Sequence, residues 1–284
     1  MKKNCLLLIL VFVVSLAFAK ENIVFTPKAF EADTVKAFAD DLFLNGFLEE
    51  AAGEYRRYLF CSDDIDVSAV FALVDIYNIK KNSEGIIWLG ENISYKLDKK
   101  SEYRLRLLQG KALFKKENLE KYKLYEEEVK DKITFNENVL SVLLPVSDFI
   151  LQENIASASD ILKTNSIKKE NFTTLETLCS GYKKKSSVVA VLLSAVVPGA
   201  GRWYTGSLWG GVSSLFSIAA LASTSIYTGN YYGWDNWRPW TLAGMAVFSY
   251  TVELYGAEKS ATRYNNAKYN EIVTEVGNVY DSLY

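Results

Sequence analysis

Histidine is absent from the 284 residues, which removes the usual general base near neutral pH, the commonest zinc ligand and every Ser-His or Cys-His nucleophile pair. Cysteine is scarce, at three residues, and proline occurs only four times. No excess of charge of either sign is present: 32 Lys and Arg face 34 Asp and Glu, for a net charge of −2. A nucleic-acid binder would need a basic face to neutralise phosphates, so this balance argues against that class. Between positions 26 and 180 the helix breakers almost vanish, with Pro27 and Pro145 the only prolines.

The first positive signal is N-terminal. Met1-Lys2-Lys3 precedes the apolar run 5–16 and then Ala17-Phe18-Ala19, a small-x-small cleavage pattern. Residues 1–19 therefore read as a secretory signal peptide, and the mature chain is expected to begin near Lys20, outside the cytoplasm. Cys5 leaves with the signal, and no cysteine stands at the cleavage point to carry a lipoprotein anchor. Cys61 and Cys179 remain. An oxidising compartment permits them to pair, but helical hairpins stacked as an open array would hold them too far apart for disulfide geometry. Two partly buried thiols is the plainer expectation. About 265 residues are left, enough for two domains.

The stretch 26–180 is polar-apolar at helical spacing. Thr26-Pro27 reads as an N-cap followed by proline in the first turn, and Phe30, Phe38 and Leu42 follow near multiples of a turn. Asn45-Gly46 is a helix stop, after which 48–59 carries Ala51, Tyr55 and Tyr58 on one face. Turn-like points return at Asn82, Asn118 and Asn154, each about 36 residues after the last when counted from Gly46. Apolar flanks recur with them: Leu73 and Tyr77, Leu108 and Leu113, Leu143 and Ile150 before the turns; Ile86-Ile87-Trp88-Leu89, Tyr122 and Tyr125, Ile155 and Ala158 after them. The period predicts four helical hairpins turning near Gly46, Asn82, Asn118 and Asn154.

Over 39–58 the chain resembles a tetratricopeptide repeat, with Phe38, Leu42, Gly46, Ala51 and Tyr55 at that family's large, aromatic, glycine, alanine and aromatic positions. Later units keep the length but place Ile87 and Lys123 where Ala51 stands. The resemblance implies a scaffold binding protein partners along a concave face, and no catalysis.

Carboxylate clusters at Asp40-Asp41, Asp63-Asp64-Asp66 and Glu126-Glu127-Glu128 lack the ligand spacing of a calcium loop. Asp63-Asp64 is expected to cap the helix starting near Val67, and the rest to be solvated. Lys80-Lys81, Lys99-Lys100, Lys115-Lys116 and Lys168-Lys169 read as solubilising charge.

Lys183-Lys184-Lys185 marks a change of character. The apolar run 188–197 is half the length of a spanning helix and ends in Pro198-Gly199, so a re-entrant half-helix is favoured over a crossing. The uncharged run 208–228 is long enough to span, and 239–257 is read as a second span interrupted by Glu253. Between them Tyr231-Tyr232-Gly233-Trp234-Asp235-Asn236-Trp237-Arg238-Pro239-Trp240 carries the amphipathic rings of a lipid-water interface. Small residues form stripes on both spans, Gly210, Ser214, Ser217, Ala220 and Thr224 on one, Ala246, Ser249, Glu253 and Gly256 on the other. The loop motif Pro198, Gly199, Gly201, Arg202, Trp203, Tyr204 and Gly206 resembles a bacterial membrane domain with a P-G-x-G-Q-x-Y-x-G signature before a hydrophobic hairpin, with Arg202 where glutamine is usual. That resemblance implies architecture and membrane residence, not a reaction. An antiparallel hairpin would return Glu253 to the Arg202 loop, making Arg202 and Glu253 a candidate intramembrane clasp.

Beyond Glu258, one helical face holds Tyr269, Ile272, Val276, Val279 and Tyr280. Too few basic residues line it for a lipid-surface helix, so protein packing is expected.

Together these readings predict an all-α protein: a signal peptide at 1–19, a tetratricopeptide-like solenoid at 20–182 outside the cytoplasm, a membrane domain at 183–258 ending in a transmembrane helical hairpin, and an amphipathic tail at 259–284. The expected function is a non-enzymatic scaffold or adaptor of the bacterial inner membrane, with its N-terminal domain in the periplasm. Its partners are proteins bound by the repeats and the bilayer itself; no cofactor, metal or nucleic acid is expected. The competing class is a membrane-embedded enzyme or small-solute permease using Glu253 and Arg202, since an ionisable residue in an apolar segment is expensive without a purpose. Side is in conflict: a lysine triplet outside the membrane runs against the positive-inside tendency.

Overall fold

The structure, a computed structural model, describes residues 31–132, 137–165, 167 and 169–283. The expected signal peptide, the Thr26-Pro27 cap and Phe30 lie outside the described residues. Among the described residues the chain is all-α, with no strand.

The chain divides into two compact units, Met1–Phe135 (with Tyr284) and Asn136–Leu283. The first holds α1 (Ala32–Leu44), α2 (Leu48–Cys61), α3 (Val67–Ile79), α4 (Ser83–Asn92), α5 (Lys99–Lys115) and α6 (Leu119–Lys132). The second holds α7 (Glu137–Leu151), α8 (Ile155–Asn165), α9 (Glu170–Gly181), α10 (Ser187–Val196), α11 (Ala200–Tyr204), α12 (Leu208–Tyr232) and α13 (Trp237–Leu283). The boundary expected at 182/183 thus runs inside one packed unit, because α7 and α9 bury the end of α13.

Helices turn at all four expected points, and one local device recurs. Gly46, Lys81, Glu117 and Glu153 each take a positive φ, of 80, 54, 53 and 56°. At three of the turns the next residue's N–H reaches back to close the helix: Phe47 to Leu42 O, Asn82 to Tyr77 O and Asn154 to Phe149 O, at 2.8–2.9 Å. Such a bond satisfies a carbonyl that the helix end leaves open. Asn82, Asn118 and Asn154 then cap the following helix, each side-chain oxygen accepting from the N–H three residues on. Gly46 therefore corresponds to Lys81, one residue short of the register counted from Gly46 to Asn82. A non-glycine residue in the left-handed region is strained by roughly 1–2 kcal/mol. Glu117→Gly should accordingly raise the stability of the first unit by about 1 kcal/mol, measured as a higher midpoint in denaturant unfolding of the detergent-purified protein.

Each hairpin buries its periodic apolar residues: Leu73 and Tyr77, Leu108 and Leu113, Tyr122 and Tyr125, Leu143 and Ile150, Ile155 and Ala158 are core residues. On the first hairpin Ala51 and Tyr55 are buried, and Tyr55 Oη donates to Asp40 Oδ1 at 2.7 Å. Burial, with Asp40 second, pushes that phenol's pKa upward. Phe38, however, is 52% exposed and Leu42 half-buried, because the inward stripe of α1 runs through Val35 and Ala39. Gly46 serves the turn, and among the described residues nothing lies within 4 Å of where its Cβ would be.

The later units are not without small residues; they hold them elsewhere. A Cβ on Gly85 would overlap the Tyr77 ring, one on Gly90 the Gln109 side chain, and one on Gly110 the Tyr125 ring. Glycine faces a large side chain in each case, so close approach of neighbouring helices does not require alanine at positions 87 and 123. Lys80 pairs with Glu49 and Lys116 with Glu84, so two of the lysines expected to be solubilising charge bridge successive hairpins, though exposed pairs contribute little. Of the Glu126-Glu127-Glu128 cluster, Glu126 is buried and pairs with Lys130. Glu128 meets the buried Arg106 at 2.7 Å, and Arg106 also donates to Gln109 at 3.0 Å.

Asp66, not Asp63-Asp64, caps α3, its carboxylate accepting from Ser68 N at 2.8 Å. That bond foremost, aided by Lys36, holds the Asp66 pKa below its ordinary value. A depressed carboxylate contributes stability above the unfolded value of about 4 and loses it as pH falls through the folded value. Asp66→Ala should cost about 1 kcal/mol at pH 7. The deficit should shrink on acidification, read from unfolding midpoints at pH 7 and pH 3.

Cys61 is exposed and Cys179 buried, both as free thiols, and burial pushes the Cys179 thiol up to about 12.

Candidate membrane site

The second unit is organised around α13, a single helix of 47 residues in which the expected second span and the expected tail are continuous. Its distal half buries Ile272, Val276, Val279 and Tyr280. Tyr269 Oη donates to Ile150 O at 3.1 Å, Tyr280 Oη lies 3.4 Å from Ser147 Oγ, and Asn171 donates to Asn278 O at 3.4 Å. The tail's apolar face thus packs on α7 and α9.

Its proximal half meets α10, α11 and α12. Of the described helices only α12 is long and apolar enough to cross a bilayer, and 11% of its most apolar window is buried. That low burial separates it from the core helix of a soluble domain. Large apolar side chains lie exposed along this region, among them Leu192 and Val196 on α10, Phe216 on α12 and Phe248 on α13. At the far end of the α12–α13 connection, Trp234, Trp237, Trp240, Tyr231 and Tyr232 are exposed, and the guanidinium of Arg238 sits 5.0 Å from the Tyr232 ring.

The loop motif is a packing device in which each glycine has a separate task. Gly199, at φ +91°, caps the start of α11, and a Cβ there would fall on the Gly211 carbonyl oxygen of α12. One on Gly201 would fall on Ala190 O of α10; Gly201 N instead donates to Ser194 Oγ at 3.0 Å. Gly206, at φ +85°, ends α11 in open space, and Ser207 N bonds back to Arg202 O at 2.8 Å. Trp203 lies against Gly211 and donates from Nε1 to Leu208 O at 3.1 Å. Tyr204 packs on a seam of Ala190, Ala257 and Ala261.

Arg202 and Glu253 come together: Arg202 Nε is 2.9 Å from Glu253 Oε2, with the carboxylate 2% exposed. The contact is an ion pair whose alignment falls short of a hydrogen bond. Ser194 Oγ donates to the other oxygen, Oε1, at 3.4 Å. Gly256 makes room for the guanidinium, since a Cβ there would strike Arg202 Nη2. The stripe expected on α12 is one position off: Ser217, Ala220 and Thr224 are exposed, and Gly211, Ser225 and Gly229 face the packing. Ser225 Oγ donates to Pro239 O at 2.8 Å, and Gly229 lies beneath the Trp234 ring.

Sequence reasoning missed the node at Lys185. Its backbone N–H and carbonyl both bond to the Asn265 side chain, at 2.8 and 2.9 Å. Its ammonium sits 4.1 Å from the Tyr264 ring and 5.2 Å from that of Tyr204, and donates to Tyr204 O at 2.5 Å. Ser186 N adds a bond to Tyr204 Oη at 3.3 Å. The start of α10 and the end of α11 are therefore adjacent, fixed to one turn of α13. In the sequence the lysine triplet signals only a change of composition; Lys184 does pair with Glu153 at the surface, but Lys185 is structural.

Compared with known proteins, the chain matches no family model, no curated protein and no solved structure.

Proposed function

We propose that the protein is a non-enzymatic, membrane-anchored adaptor of the cell envelope that binds protein partners through a tetratricopeptide-like helical region. The observation that carries this reading is the unbroken α13, whose proximal half packs on the apolar α12 and whose distal half packs on α7 and α9. One helix thereby joins anchor and helical layer, an arrangement for holding a recruiting surface at a membrane.

In this reading α12 and the proximal part of α13 form a transmembrane hairpin. At 1.5 Å per residue α12 extends about 37 Å, enough for a hydrocarbon core of about 30 Å. The second crossing is less apolar and relies on the first. The ten residues of α10 reach about 15 Å, and the Lys185–Tyr204 contacts return the chain to its starting level, so the segment re-enters and does not cross. Two crossings leave the distal half of α13 on the side of α7 to α9, outside the cytoplasm if residues 1–19 act as a signal. With Lys185 caged by Tyr204 and Tyr264, the triplet has a packing reason to lie there. Arg202–Glu253 then acts as a clasp between re-entrant loop and hairpin.

The test is recovery of a partner: photo-crosslinkers placed at exposed Trp88 and Phe60 in the living cell should yield one discrete protein adduct, lost when the apolar side chains around them are made charged. Absence of any adduct at either position, with the protein correctly folded, would contradict the adaptor role.

A further inference from the structure

One face of α13 changes character along its length in the order that a phospholipid does. Phe248, Val252, Tyr255, Lys259 and Arg263 are all exposed, and at steps of three and four residues they fall in a single stripe of the helix. Two apolar side chains come first, then a ring, then two cations. At 1.5 Å per residue the stripe runs roughly 22 Å, about half the height of a bilayer of about 40–45 Å counted with its headgroups. The Lys259 ammonium sits 5.2 Å from the Tyr255 ring, and neither Lys259 nor Arg263 pairs with a carboxylate among the described residues. Glu258 lies off the stripe, since adjacent residues on a helix do not face each other.

Charge is also divided unevenly between the two ends of the α12–α13 hairpin. From Lys183 to Lys268 the carboxylates are Asp235, Glu253 and Glu258. Asp235 lies in the far connection with Arg238, and Glu253 is taken by Arg202. Glu258 is then left at the end where Lys185 is tied to Asn265. Of the basic residues there, Lys184 and Lys268 pair with Glu153 and Glu271, and Lys185 is caged by Tyr204 and Tyr264. Lys183, Lys259 and Arg263 remain, an excess of positive charge at one interface. We infer that the stripe binds one anionic phospholipid, its phosphate against Lys259 and Arg263, its glycerol backbone beside Tyr255 and an acyl chain along Val252 and Phe248. A zwitterionic headgroup would bring an ammonium to the same two cations and gain less from them. The inference rests on the membrane reading of α13, but not on the adaptor role.

The test uses the full-length protein in detergent micelles, with lipid binding read by native mass spectrometry. Dioleoylphosphatidylglycerol should bind about tenfold more tightly than dioleoylphosphatidylcholine, the combined effect of two basic residues beside an anionic headgroup. The double variant Lys259→Gln, Arg263→Gln should bring that ratio toward one; both side chains are exposed on α13, so its unfolding temperature should stay near that of the parent. Arg238→Gln, at the far end of the hairpin, should leave the ratio as it is. Equal affinity for the two lipids overturns the inference, and so does a preference that the double variant keeps or that Arg238→Gln abolishes. Displacement of the lipid by an equal concentration of soluble glycerophosphate would overturn a lipid as the occupant. If neither lipid binds, the membrane reading of α13 falls together with the inference. A protein with no partner in the cell but with the lipid preference would sink the adaptor role and leave this site standing.

Discussion

Arg202→Ala should destabilise the second unit by about 3–5 kcal/mol, the usual cost of leaving one member of a buried ion pair alone. Glu253 is the reason. Its carboxylate is 2% exposed, and without the guanidinium its remaining partner is the Ser194 hydroxyl at 3.4 Å. Glu253→Gln should be milder, because a neutral amide in that place costs less to bury than a charge. Arg202→Glu and Glu253→Arg should each lower the amount of folded protein in the membrane, and the double exchange should restore part of it. Unfolding temperature in detergent and accumulation in the cell are the readouts. A double exchange no better than either single change would mean that the pair contributes nothing as a clasp.

Gly199→Ala should be comparably damaging. The residue sits at φ +91°, where a Cβ costs roughly 1–2 kcal/mol. The same Cβ would also fall on the backbone oxygen of Gly211, and forcing it in should add about 1–3 kcal/mol. Backbone cannot rotate aside as a side chain can, so the loop carrying Gly199 must separate from α12. Gly206→Ala is the control, since Gly206 has a similar φ of +85° but open space around it, and only the conformational term of about 1–2 kcal/mol applies. If the two variants unfold at the same temperature, the Gly199–Gly211 contact is not what the loop glycines serve.

Much of the helical layout was legible, and for a local reason. Asn82, Asn118 and Asn154 announce their turns because capping is settled within a few residues of chain, by a side-chain oxygen and the N–H three residues on. The apolar face of the tail was equally legible, since Ile272, Val276 and Val279 repeat at helical spacing whatever they pack against. Registers decided by distant partners were not. Phe38 matches a repeat pattern, but Val35 and Ala39 are the residues that are buried. The repeat pattern asks for small residues at positions 87 and 123, and they occur at Gly85 and Gly110, opposite Tyr77 and Tyr125. Asp63-Asp64 looks like the cap of α3 until Asp66 is seen bonded to Ser68.

The candidate site divides the same way. Arg202 and Glu253 are paired by hairpin logic, which needs only chain direction and the rise per residue. Lys185 is not, because its ties run to Tyr204, Tyr264 and Asn265, a convergence no spacing rule contains. The continuity of α13 was available in principle: after Pro239 no proline interrupts the chain to its last residues. The change from apolar to charged composition near Glu258 suggests a boundary that the backbone does not observe.

The most direct test of a two-crossing anchor is the side of the membrane on which three positions are exposed. In a background with Cys61 and Cys179 replaced by serine, single cysteines at Asp160, Asn236 and Glu275 can be challenged with a membrane-impermeant maleimide, before and after the membrane is permeabilised. Cysteines at 160 and 275 should react from one side and that at 236 from the other. Reaction of 160 and 275 from opposite sides would show an odd number of crossings and contradict both the re-entrant loop and the hairpin anchor.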